Sequence, residues 1–145
     1  MSNRYWIGGT ATWDATTTSV WSTTSGGSGG ASVPTSSDNV FFDQAGTFTV
    51  TLGGTSAIPC ASITVSASTY TFASTTTALN VFGNVYFVSG TVYPLALFLR
   101  GTSNTLTTNG VVVNRISFAV NNTNYTLGSA LTCVNNISGV GGSTL

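Results

Sequence analysis

The feature that most constrains this chain is the brevity of its apolar runs. "ASITVSAS", "YTFAS", "ALNVFGNVYFVSG", "TVYPLALFLRG", "NTLTTNG", "VVVNRISFAVNN" and "NYTLGSALTCVNN" follow one another at close spacing, each ended by Gly, Asn, Ser or Thr. None repeats at helical spacing, and Thr and Val are abundant, which favours strands. Within "FTVTL" and "ISFAV" apolar and polar residues alternate with period two, the mark of a sheet with one buried face. The chain is therefore expected to be all-β. Short strands joined by short turns suit a β-solenoid in which each coil stacks on the last. They also suit an antiparallel β-sandwich or jelly roll, and periodicity does not separate the two. With coils of about 20–25 residues, residues 60–145 would make roughly four, a stack roughly 20 Å long.

The 145 residues are one domain's worth of chain. Its texture changes near Pro59. Residues 1–58 carry the three tryptophans, all three aspartates and the Gly/Ser-rich stretch "TTSGGSGGASVPTSSDN", and read as a cap or attachment segment. Residues 59–145 read as the solenoid repeats. "NNISGVGGSTL" stops where another strand would begin, so a longer product is expected.

Charged residues make up 4% of the chain, and there is no Lys, Glu or His. Arg4, Arg100, Arg115, Asp14, Asp38 and Asp43 are the whole set of charged side chains. Three scattered arginines cannot supply the clustered positive charge that nucleic acid requires. A formal net charge of zero removes one defence against self-association. "MSNRYW" has no basic region followed by an apolar run, so no signal peptide is expected. "VYPLALFL", interrupted by Pro94, is far shorter than the about 20 residues that span a bilayer, so no membrane insertion is expected.

"YWIGGTATWD" raises the sharpest question of function. If Gly8-Gly9 is a two-residue hairpin turn, Trp6 and Trp13 become diagonal neighbours on one face. With Trp21 they would form a stacking surface for sugar, or a cap over the open end of the fold. Asp38 and Asp43 in "PTSSDNVFFD" suggest calcium in one reading and an Asx-turn leading into a strand in the other. No metal or other cofactor is expected. Cys60 and Cys133 read as free core thiols, with a disulfide as the alternative. Asn121, Asn124 and Asn136 stand in glycosylation triplets, or at turns and in stacked ladders. Arg100 and Arg115, beside apolar runs, would cover sheet edges or reach across a subunit contact. In "VYPLALFL", Val92, Tyr93, Leu95, Leu97, Phe98 and Leu99 are a candidate subunit contact or a doubly buried strand.

Catalysis finds little support. Glycoside hydrolysis normally needs two carboxylic acids, and residues 44–145 contain no Asp or Glu. Without His there is no Ser-His-Asp arrangement and no ordinary base for a cysteine nucleophile.

"YWIGGTATWD", "VW", "VPTSSDNVFFD" and "CASITVSASTYTF", with "NYTLGSALTCVNNISGVGGSTL" further on, resemble repeat-rich β-solenoid fibre and appendage proteins of tailed bacteriophages, and related bacterial surface adhesins. The resemblance implies a structural component of the virion: a tail or head fibre, or a decoration protein. It would be made in the host cytoplasm, assemble as a homo-oligomer, a trimer being favoured, and contact other virion proteins. The alternative it implies is a carbohydrate-binding adhesin domain at a bacterial surface, meeting a host-surface glycan through Trp6, Trp13 and Trp21. It implies no catalytic residues.

Overall fold

The computed structural model describes residues 1–67, 70–74, 77–118 and 124–139. All regular structure among them is β. The chain opens with β1 (Ser2–Trp6), β2 (Ala11–Trp13) and the short β3 (Trp21–Ser22). One turn follows as β4 (Asp38–Phe42), β5 (Phe48–Leu52) and β6 (Ile58–Cys60), and the next as β7 (Ile63–Val65), β8 (Tyr70–Ala73) and β9 (Leu79–Val81). Then come β10 (Val85–Phe87) with β11 (Tyr93–Leu99), and β12 (Asn104–Thr107) with β13 (Val112–Phe118). The last described turn holds β14 (Tyr125–Leu127), β15 (Thr132–Cys133) and β16 (Ile137–Gly139).

Each strand pairs with its counterparts one turn before and after, in parallel. This builds three sheets: a 7-stranded one from β3 to β14, a 6-stranded one from β6 to β15 and β16, and a 3-stranded one of β2, β5 and β8. Among the described residues only β1 and β3 pair antiparallel. A sandwich would pair consecutive strands antiparallel, so the architecture is the β-solenoid. Ile63 to Gly139 makes four turns, as the coil length anticipates.

The register explains why period two sufficed. Val40, Ile63, Val85, Leu106 and Leu127 lie one above another. So do Ile58, Leu79, Leu97, Ile116 and Ile137 on a second sheet. These columns point inward, and within each turn the alternate residues point out. The stack takes a step of about 20 residues per turn.

Coiling is not confined to residues 59–145. β1 pairs with β4, and β4 with β7, in the same parallel ladder. Pro59, where the texture changes, lies inside β6 opposite Asn80. The Gly/Ser-rich stretch is a long excursion from one corner, laid across the first end. It is tied down by backbone bonds from Gly30 N–H to Thr18 and Ala31 N–H to Trp21, and by Arg4, which donates to Ser32.

Later turns are stitched to one another by side chains. Asn109 donates to the Phe87 carbonyl at 2.8 Å, Asn84 accepts from Thr105 N–H at 2.8 Å, and Thr108 donates to the Ala130 carbonyl at 3.0 Å. Each bond joins residues one turn apart. Amides and hydroxyls do here what ion pairs do on ordinary surfaces, because the turn-to-turn distance matches one hydrogen bond.

Candidate functional site

Trp6, Trp13 and Trp21 are 0%, 1% and 0% exposed. Trp21 sits between the other two, edge-on to Trp6 at 5.2 Å and to Trp13 at 5.1 Å between ring centroids. Phe42 closes the cluster from the next turn, 5.7 Å from Trp6 and 5.8 Å from Trp13. No face of an indole is open to a sugar, so a stacking platform is excluded and the rings plug the first end. The Gly8-Gly9 hairpin is also corrected. β1 and β2 belong to different sheets, and the glycines turn a corner of the coil between them. The Trp6 indole N–H donates to the Gly9 carbonyl at 2.9 Å and pins that corner. A Cβ at Gly8 would stand 2.7 Å from the Val20 side chain, which explains why glycine is needed there.

"VYPLALFL" divides between inside and outside. Tyr93, Leu97 and Leu99 are buried in the core, Val92 is exposed, and Leu95 and Phe98 are half-buried. The Tyr93 hydroxyl donates to the Ala96 carbonyl at 3.1 Å, across a shift in the β11–β13 register between Tyr93 and Ala96. At this irregularity Pro94 is exposed, while Leu95 packs half-buried against the core. A contact surface built on the whole segment therefore loses its inward residues and keeps Val92, Leu95 and Phe98.

Asp14 and Asp38 serve turns, whereas the buried Asp43 Oδ1 has no hydrogen-bond partner. Asp38 accepts from the Thr35 N–H at 3.0 Å and hydroxyl at 2.8 Å at the entry to β4. Burial would raise its carboxyl, but these bonds, the Arg4 charge and the Ser2 N–H together hold it below the ordinary value. Asp14 is lowered chiefly by the Thr16 and Thr17 N–H groups. No group of three potential metal-ligating side chains occurs among the described residues. Cys60 and Cys133 are free thiols, and burial pushes the Cys60 thiol up. Asn124 accepts from Ser103 N–H at 2.5 Å, and the Asn136 carbonyl accepts from Ile116 N–H at 3.2 Å. Asn121 lies outside the described residues, as does the end of "NNISGVGGSTL".

Among the hollows of the outer surface, two lie beside the candidate contact residues. One, about 470 Å³, runs along a corner of the later turns and is lined by Val92, Pro94, Val112 and Val134. Val92, Val112 and Val134 are 48%, 44% and 65% exposed, an apolar ridge on a polar molecule. The other is a groove of about 910 Å³ across the outer face of the sheet made by β6, β9, β11 and β13. Its lining includes Ala57, Ala78, Ala96, Phe98, Arg115 and three asparagines, Asn114, Asn135 and Asn136. Arg115 lies over the Phe98 ring, its Cζ 5.5 Å from the centroid. Arg100, by contrast, donates to Asn80 Oδ1 at 2.8 Å, and Arg4 to the Ser32 carbonyl at 2.9 Å.

Sequence reading singled out Phe98 and Arg115 separately and missed the groove. The only signal was register: Ala96 and Arg115 are partners across β11 and β13, and Ala57 and Ala78 each precede a paired residue of β6 and β9. No family model, curated protein or solved structure matches the chain.

Proposed function

We propose that this protein is a structural component of a bacteriophage virion, a fibre or decoration protein that works by assembling with copies of itself. The observation that supports this most is the valine ridge of Val92, Val112 and Val134 beside its hollow. It groups three exposed valines around one hollow, and such a surface favours contact with a matching one. Residues 44–145 carry no carboxylate and two arginines, so little charge repulsion opposes the approach of a second copy. The mechanism is mechanical: continuous parallel ladders make the stiff body, the buried aromatics seal one end, and the ridge joins neighbours.

Native mass spectrometry at micromolar concentration tests the reading. A closed oligomer, with a trimer expected, and its loss on replacing Val92, Val112 and Val134 together by Ser, supports it. A monomer at every concentration overturns self-assembly.

A further inference from the structure

The geometry points to a second role for the outer face: the groove over β6, β9, β11 and β13 binds an acidic oligosaccharide, with Arg115 as the carboxylate anchor. The groove borders the valine ridge, since Pro94, Asn114 and Val134 line both hollows, but its anchor Arg115 and the Phe98 ring beneath it line the groove alone, so Arg115 variants test this inference separately from the assembly reading.

Three observations carry it. First, among the described residues Arg115 is the arginine whose side chain makes no hydrogen bond. Arg4 spends its Nε, Nη1 and Nη2 on Ser32 and Asn3, and Arg100 spends its Nε on Asn80. The Arg115 guanidinium lies against the Phe98 ring. Its own chain offers no Asp or Glu from residue 44 onward. A guanidinium laid on an aromatic face is oriented and partly desolvated, and its edge keeps the planar fork of donors that matches a carboxylate.

Second, the rest of the lining is uncharged, and its polar part is made of amides and hydroxyls. Asn135 Nδ2 donates to Asn114 Oδ1 at 2.5 Å, which leaves the Asn114 NH₂ and the Asn135 carbonyl oxygen for another partner. Asn136 and Thr55 add further amide and hydroxyl groups. Side chains that both donate and accept suit a ligand rich in hydroxyls. Ala57, Ala78 and Ala96 keep the floor low, so a flat ring can lie on it. At about 910 Å³ the groove stands near the upper end of small-ligand clefts, about 300–1,000 Å³, room for more than one sugar ring.

Third, the backbone is spoken for. β11 pairs with β9 on one side and β13 on the other, so a peptide cannot add to this face as a strand. Recognition has to run through side chains, and an extended acidic peptide loses its main source of affinity here.

The experiment is a calorimetric titration of the full chain with an oligogalacturonate of three or four residues, its methyl ester, and a Glu-rich peptide. The acid should bind, and both esterification and Arg115→Gln should weaken binding by about tenfold or more, with Arg115→Lys between the two. Added salt should weaken it as well. Arg115 is exposed, so the variants should keep the wild-type circular dichroism and melting profile. Asn135→Ala, away from the guanidinium, should weaken acid and ester alike. Equal binding of acid and ester, or an Arg115→Gln variant that binds unchanged, overturns the proposal. So does absence of binding at millimolar ligand. A Glu-rich peptide that binds more tightly than the sugar acid overturns it in favour of a protein partner.

Discussion

The first end of the stack and its last described turn differ in what covers the inward columns. At the first end three indoles and Phe42 fill the interior, and β3 lies antiparallel along β1, the one reversal among the described strands. At the last described turn the inward columns continue in Leu127 and Ile137, which are 42% and 47% exposed. Their counterparts Leu106 and Ile116, one turn earlier, are fully buried. The same side chain in the same column is core or surface depending only on whether another layer covers it. A solenoid turn cannot bury its own inner face, so an end must be filled by something other than the repeat. The first end has the large, rigid rings that can do this in little chain.

The two regions also hold their turns differently. Near the first end carboxylates do the work, Asp14 with Thr16 and Thr17, Asp38 with Thr35. In the later turns amides and hydroxyls bond from coil to coil. Tyr125 reaches furthest, its hydroxyl donating toward the Gly83 carbonyl at 2.8 Å and the Val81 carbonyl at 3.2 Å.

The sharpest way to break this comparison is to empty the plug. Trp21→Ala removes the central ring and should cost about 3–5 kcal/mol in denaturant unfolding. Leu127→Ala in the exposed layer should cost under about 1 kcal/mol. Equal costs would mean that the two regions are not distinct.

Alkali probes both regions at once. Burial holds the Tyr70 hydroxyl up to about 12, helped by the Asp43 charge, and raises Tyr93 and Tyr125 further. The folded state thus disfavours the phenolates. The stability this represents is complete below about pH 10, the ordinary tyrosine value, and is lost as pH rises through the folded values. Tyrosinate absorbance from these three side chains should therefore appear together with loss of the β signal in circular dichroism. Absorbance that rises first in a Tyr125→Phe-sensitive step would show the last turn opening ahead of the plug.

A smaller effect separates backbone strain from stitching. Asn109 sits at φ 49°, takes a bond from its own N–H to Ser129 Oγ at 2.9 Å, and donates to Phe87. Asn109→Ala should lose about 2 kcal/mol, part for the side-chain bond and part for the left-handed backbone. Asn109→Gly should recover the backbone share, about 1 kcal/mol, in the same melts.

Acid should give the least. Asp14 and Asp38 are both lowered in the folded state, so their contribution is present above about pH 4 and fades as pH falls through the folded values. Asp14 is partly exposed and Asp38 buried, and side-chain bonds of this kind are worth on the order of 1 kcal/mol. Amide exchange near pH ~3 should loosen the turns around Asp14 and Asp38 and leave residues 77–118, which have no carboxylate, unchanged.

Much of the body was legible in the sequence. Runs such as "FTVTL" fixed the two-residue alternation, and the Gly, Asn and Ser between them fixed the corners, because local sterics and side-chain alternation are properties of a few neighbouring residues. The lack of any acidic pair after Asp43 was equally plain. What tertiary structure decided was partnership. Gly8-Gly9 reads alike as hairpin or corner, since both use glycine's freedom. Only the pairing of β1 with β4 and of β2 with β5 sends the indoles inward together. The groove is likewise invisible along the chain, because Ala57, Ala78, Ala96 and Arg115 meet only through registers about 20 residues apart. Those registers are chosen by the stacking of whole turns, which settles at once which side chains share a face.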